Sequence, residues 1–189
     1  MAGAPHILLM GLRASGKSTL GQALAARLGL LFVDLDEVTA AMLGCVDVPE
    51  VWAMHGPAAF RSAEVGALRQ LLAGAGPGGT LAGVPRVIAL GGGTPTAPGA
   101  AELLREEARA GRIALVYLRA SPETLRARLT DTDLDERPSL TGQGVLDEVD
   151  EIFRQRDPLY SELATARLET DGMTPAQAED ALARIFVAA

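Results

Sequence analysis

The sequence predicts an α/β protein in which a five-stranded parallel sheet is covered by helices on both faces. Two observations point there. Short apolar runs of strand length alternate with longer segments whose leucines recur at helical spacing. The first apolar run also leads directly into a glycine-bearing loop, Gly11-Leu12-Arg13-Ala14-Ser15-Gly16-Lys17-Ser18, that opens a helix. In such sheets ligands bind at the carboxyl ends of the strands.

The elements follow in chain order. His6 to Met10 is the first strand, and Leu20, Leu24 and Leu28 mark the helix after the loop, with Gly29 as its C-cap. Leu30 to Val33 is the second strand and delivers Asp34 and Asp36 at its carboxyl end. Residues 37–54 form short helices, one opened by Pro49. Pro57 then sits in the first turn of a longer helix that runs to about Leu72 and carries Phe60, Arg61 and Glu64. Gly74 to Pro85, rich in glycine and proline, is a surface loop. Arg86 to Leu90 is the third strand and stops at Gly91, Gly92 and Gly93. Pro98 to Ala110 is helical, Ile113 to Leu118 is the fourth strand, and Ser121 with Pro122 starts the next helix. Residues 131–144 are polar and suit a mobile lid, and 145–164 is helical with an interruption at Pro158. Arg167 to Thr170 is the last strand, and Thr174, Pro175 and Gln177 form a capping-box start to a C-terminal helix.

Composition narrows the function. A chain of 189 residues, 48% hydrophobic and 22% charged, suits one globular domain. A net charge of -7 opposes non-specific nucleic-acid binding, which needs a basic surface, so an anionic ligand must be held by local positive charge. The single cysteine, Cys45, cannot close an internal disulfide and reads as a core residue. Met1 to Met10 has neither the basic start nor the apolar length of a signal peptide or membrane span, so a cytoplasmic protein is expected. Of the 17 basic residues only Lys17 is a lysine; a compact ammonium on a thin stem is what a phosphate loop requires, and a broad guanidinium does not replace it. Asparagine is absent, which excludes the Asn-Lys-x-Asp base-reading motif of GTPases and the catalytic-loop Asn of protein kinases.

The loop from Gly11 to Ser18 matches G-x-x-x-x-G-K-[ST] between a strand and a helix. Its backbone N–H groups and the helix N-terminus suit phosphate oxygens, Lys17 suits the β and γ phosphates, and the Ser18 hydroxyl suits magnesium, so ATP with Mg2+ is expected. Asp34 and Asp36 would leave one face of the strand if it continued through them, one for magnesium and one for the acceptor; capping of the next helix is the alternative. The three glycines at 91–93 suit either close approach of backbone to a ligand or a plain turn. Arg61, Arg137 and Arg156 are candidate oxyanion forks. His6 and His55 have no partners at metal-ligand spacing.

Together these motifs resemble the shikimate kinase family of nucleoside-monophosphate-kinase-like P-loop proteins, roughly from His6 to Phe186. The likeness is carried by the P-loop, Asp34-Leu35-Asp36, Phe60-Arg61-Ser62-Ala63-Glu64, Gly91-Gly92-Gly93, Arg137-Pro138 and Arg156 to Tyr160, in that order. The resemblance implies a P-loop kinase three-layer sandwich with strand order 2-3-1-4-5, helices at about 37–73 that bind the acceptor, and a lid at about 131–144. It implies ATP-dependent phosphorylation of the 3-hydroxyl of shikimate by a monomer, with no membrane or nucleic-acid partner. In that pattern Lys17 contacts the transferring phosphate, Ser18 and Asp34 serve magnesium, and Asp36 binds the ring hydroxyls and accepts a proton. Arg61 and Arg156 clamp the carboxylate, Glu64 orients Arg61, and Gly91 to Gly93 touch the acceptor. Residues 11–18 with Thr19 hold the nucleotide, Arg137 closes over it, and Arg128 lies on adenine. A kinase for another small acid such as gluconate, and a binding module that has lost catalysis, are the competing readings. The chain departs from the family pattern at Ala14, where glycine is frequent, and in the acidic stretch Asp131 to Glu136.

Overall fold

The computed structural model describes residues 5–74, 84–130, 146 and 148–187. Five strands, β1 (His6–Met10), β2 (Leu31–Asp34), β3 (Arg86–Ala89), β4 (Ile113–Arg119) and β5 (Ala166–Glu169), form one sheet in the order β2-β3-β1-β4-β5. Every pairing is parallel, with Leu8 opposite both Ile88 and Leu115. The expected order is therefore present.

Because alternate strand residues face opposite sides, the sheet sorts its side chains into two cores. Ile7, Leu9, Val87, Val116 and Leu118 pack on one face against α1 (Lys17–Leu28) and α7 (Pro175–Val187). Leu8, Met10, Ile88, Leu115 and Tyr117 pack on the other against residues of α3 (Val48–Leu72), α4 (Ala100–Arg109), α5 (Pro122–Thr130) and α6 (Val149–Leu163). A third, small cluster of Ala40, Cys45, Val51 and Phe60 joins α2 (Leu35–Met42) to α3, and it puts Cys45 in a core as expected.

Two junctions differ from the sequence expectation. β2 ends at Asp34, whose side chain accepts the N–H of Asp36 at 3.0 Å and caps α2, so Asp36 lies in the first helical turn and not on a continuing strand. The capping alternative for Asp34 is what the structure shows, and its second carboxylate oxygen accepts the Ser18 hydroxyl. α6 runs through Pro158 without a break. Proline removes one helical hydrogen bond, but the surrounding turns are pinned: Asp157 accepts Arg119 Nε at 2.7 Å and Tyr117 Oη at 2.9 Å, and Tyr160 Oη donates to the carbonyl of Gly92 at 2.7 Å. Tertiary bonds override the local preference. Other local signals appear as read. Gly56 is non-helical (φ 78°), so Pro57 begins a fresh helical segment within α3. Thr174 and Gln177 exchange reciprocal capping bonds of 2.8 and 3.3 Å at the start of α7.

Candidate active site

The carboxyl ends of all five strands lie along one edge, and the chain leaves β1, at the point where the strand order reverses, through the phosphate loop. Close packing shapes that loop. A Cβ on Gly11 would lie 2.5 Å from Ser15 Oγ and 2.6 Å from the carbonyl of Leu118, so no other residue fits there. Gly16 is left-handed (φ 91°) and caps α1, aiming that helix's free N–H groups into the loop. Ala14 is also left-handed, at φ 63°, and is the one non-glycine with positive φ among the described residues. Alanine thus occupies a left-handed position that favours glycine.

Lys17 Nζ donates to the carbonyl of Leu12 at 3.0 Å, which folds the ammonium back across the loop mouth. Beside it Ser18 Oγ donates to Asp34 Oδ2 at 2.6 Å. A cleft of about 280 Å³ opens here, and its walls include Lys17, Ser18, Asp36, Arg61, Glu64 and Arg156. Leu12, Arg13, Ala14, Gly16, Thr19, Asp34 and Gly91 to Gly93 also line it, whereas Gly11 and Ser15 are buried beneath the loop as support.

None of the three glycines has positive φ, and the demand for glycine is steric at Gly91, whereas a Cβ on Gly92 would meet only ordinary contacts from 3.4 Å with the Arg13 backbone. A Cβ on Gly91 would come within 2.3 Å of Glu64 Oε1 and 2.4 Å of Asp36 Oδ1, so two carboxylates press on one point of the backbone. On Gly93 it would lie 3.3 Å from Arg61 Nη1 and 3.6 Å from Arg156 Nη1, so two guanidiniums meet over the next turn. Arg156 is fixed there by a bond of 2.9 Å to the carbonyl of Gly92. The cleft therefore has a phosphate end at the loop and a cationic end at Gly93, with Asp36 between them.

Glu64 is 2% exposed. Burial, reinforced by the charge of Asp36, raises its pKa to about 7 in spite of Thr94 and the two arginines. Its hydrogen bond comes from Thr94 Oγ1 at 2.5 Å, while Arg61 acts on it through charge. Tyr160, behind Arg156, is likewise pushed up to about 12 by burial. Arg128 stands apart from the cleft wall. Its guanidinium donates to the carbonyl of Thr170 at 2.9 Å and reaches the Ala14 carbonyl at 3.5 Å, tying the end of β5 to the phosphate loop. Arg137 and the expected lid lie outside the described residues. His6, at the outer end of β1, and exposed His55 contribute nothing to the cleft.

The sequence reading passed over Thr94 and the apolar wall residues Val48 and Trp52, and it named Phe60 only as part of the motif around Arg61. Thr94 directly follows the glycine run, a signal that was available. The wall residues carry none, because an apolar side chain lining a cleft reads like any core residue.

The sheet order and phosphate loop define the class, a P-loop kinase. The chain belongs to the shikimate kinase family: a family model described as shikimate kinase matches residues 13–186. It is 40% identical to the shikimate kinase of Nitratidesulfovibrio vulgaris over 176 residues, 93% of this chain and 92% of that one. Among solved structures, a shikimate kinase from Acinetobacter baumannii in complex with shikimate superposes with a TM-score of 0.80 at 27% identity, covering 99% of this chain and 95% of that one. A gluconokinase from Sinorhizobium meliloti, at 21% identity, TM-score 0.56 and coverage of 98% and 95%, shares the fold.

Proposed function

We propose that this chain transfers the γ-phosphoryl group of ATP to the 3-hydroxyl of shikimate, giving shikimate 3-phosphate and ADP, as one cytoplasmic domain acting as a monomer. The observation that carries the reading is the meeting of Arg61 and Arg156 over Gly93 in the same cleft as Lys17. Paired guanidiniums suit a carboxylate held in bidentate fashion. Such a clamp fixes an acid's ring with a hydroxyl facing the phosphate end.

Each residue then has a role suited to its place. Lys17 leaves the Leu12 carbonyl for the β and γ phosphates, while the N–H groups of residues 11–18 and the Thr19 turn receive the remaining oxygens. Ser18 and Asp34 place two hard oxygens side by side at the loop mouth, which fits magnesium, an ion that takes one or two protein oxygens and fills its shell with phosphate and water. A magnesium ion held by Ser18 and Asp34 would supply positive charge that offsets the charge of the nucleotide's phosphates. Asp36 orients the acceptor hydroxyl and takes its proton as the oxygen–phosphorus bond forms and the bond to the ADP oxygen breaks, its electron pair leaving with ADP. Phosphoryl transfer has a loose transition state, so alignment and charge carry most of the rate. Arg137 adds positive charge from the lid, and Arg128 borders the adenine site from its anchor on Thr170. No helix among the described residues is long and apolar enough to cross a membrane, and a net charge of -7 opposes nucleic acid as a partner.

A coupled assay of ADP release with shikimate and with gluconate tests the reading. Turnover with shikimate is expected; turnover with gluconate alone, or nucleotide binding without transfer to either acid, overturns it.

A further inference from the structure

Four residues of α6 form two pairs, each spaced by four and so stacked along one side of the helix. Phe153 and Asp157 hold Arg119, the last residue of β4. Its guanidinium carbon stands 4.9 Å from the centre of the Phe153 ring, Nε donates to Asp157 Oδ1 at 2.7 Å, and Nη2 donates to Oδ2 at 3.3 Å. The same Oδ1 accepts the Tyr117 hydroxyl at 2.9 Å. Arg156 and Tyr160 meet a single acceptor on the cleft side. Arg156 Nη1 donates to the carbonyl of Gly92 at 2.9 Å, and Tyr160 Oη donates to the same oxygen at 2.7 Å. The rings of Tyr117 and Tyr160 pack edge to face at 5.6 Å, which joins the two grips.

This stretch is also where the helix is weakest by itself. Pro158 has no N–H to give the carbonyl of Arg154 one turn back, and its ring crowds that carbonyl. Arg156 and Asp157 lie inside the turn that lacks the bond, so backbone hydrogen bonding alone does not fix the direction of the Arg156 side chain.

We propose that Asp157 is a positioning residue for the acceptor: latched to Arg119 and Tyr117, it holds the proline-weakened turn in register, so that Arg156 is already aligned when the carboxylate of shikimate arrives. The inference rests on the proposed function and deepens it. Arg156 lines the cleft, whereas Asp157, Arg119 and Tyr117 stand behind its wall, so Asp157 acts through its neighbour and not on the substrate. The Arg119 and Asp157 side chains are 26% and 21% exposed, and a two-point ion pair this far from solvent holds geometry better than a surface pair does. A guanidinium aligned beforehand has less freedom to lose on binding, and the gain appears as affinity for the acid.

Steady-state kinetics of the full chain, with each substrate varied in turn, test this, with melting temperatures measured alongside. In Asp157→Ala the KM for shikimate is expected to rise about tenfold, while kcat and the KM for ATP stay within about twofold, the pattern of lost ground-state binding. Arg119→Met removes the partner and is expected to raise the shikimate KM in the same way. The double variant is expected to be no worse than the more affected single one, because both changes break one interaction. A residue that serves stability alone lowers the melting temperature and leaves the shikimate KM unchanged, or moves both KM values alike; either result overturns the inference, as do additive effects in the double variant. If Asp157→Ala does not fold, the KM values of Arg119→Met decide it. Unchanged shikimate KM in the variants of a wild type that turns over shikimate overturns the inference alone. Absence of shikimate turnover in the wild type overturns the functional reading and this inference with it.

Discussion

Single residues in the cleft are held in conformations that only their neighbours explain. Ala14 is the plainest case: a left-handed alanine costs on the order of 1 to 2 kcal/mol relative to the right-handed form. Glycine would remove that strain but would loosen the unfolded chain by about 0.4 to 1 kcal/mol. Ala14→Gly is therefore expected to raise thermal stability slightly, by about 1 to 3 °C in a chain of this size, as scanning calorimetry would register. A lower melting temperature would show that the loop is not strained there. The P-loop itself was legible in the sequence because its spacing encodes a backbone trajectory, and the cleft residues Asp36, Arg61, Glu64 and Arg156 were legible through the family pattern around them. The hydrogen bond between Thr94 and Glu64 was not, since it joins α3 to the turn after β3 and depends on burial that no local spacing reports.

Elements act here chiefly through their ends. β2 stops at Asp34 so that one carboxylate both caps α2 and faces Ser18. The turn after β3 keeps glycine at Gly91 so that side chains from α2 and α3 can close on its backbone. Gly91→Ala forces a methyl group between Asp36 and Glu64, and overpacking of this kind costs about 1 to 3 kcal/mol. The variant is expected to raise KM for shikimate or lower kcat by ten- to a hundredfold while ADP binds as before. Trp52, the only tryptophan and part of the cleft wall, offers a fluorescence signal for acceptor binding. Equal losses for nucleotide and acceptor would contradict the separation of the two ends. Helix and strand positions were mostly readable from periodicity and punctuation. Pro158 misled because the bonds that hold α6 straight, from Arg119, Tyr117 and Tyr160, come from residues distant in sequence or from packing across the sheet.

At the scale of the molecule, a parallel sheet with reversed order about β1 creates a crevice, and the chain fills its two sides with opposite chemistry. Helix N-terminus and Lys17 form one side; Arg61 and Arg156, carried by α3 and α6, form the other. On the proposed function, this lets a protein of net charge -7 take two anions, because cationic groups are concentrated where strand ends, helix start and glycine turn meet. The strand order came from family resemblance and not from periodicity, which counts strands but does not order them. The central claim is that the acceptor is an acid gripped by two arginines opposite the phosphate loop. A crystal structure with ADP, magnesium and shikimate tests it most directly. The account predicts the shikimate carboxylate between Arg61 and Arg156 beside Gly93, with the 3-hydroxyl toward Asp36 and the phosphates; a carboxylate seated away from both arginines would contradict it.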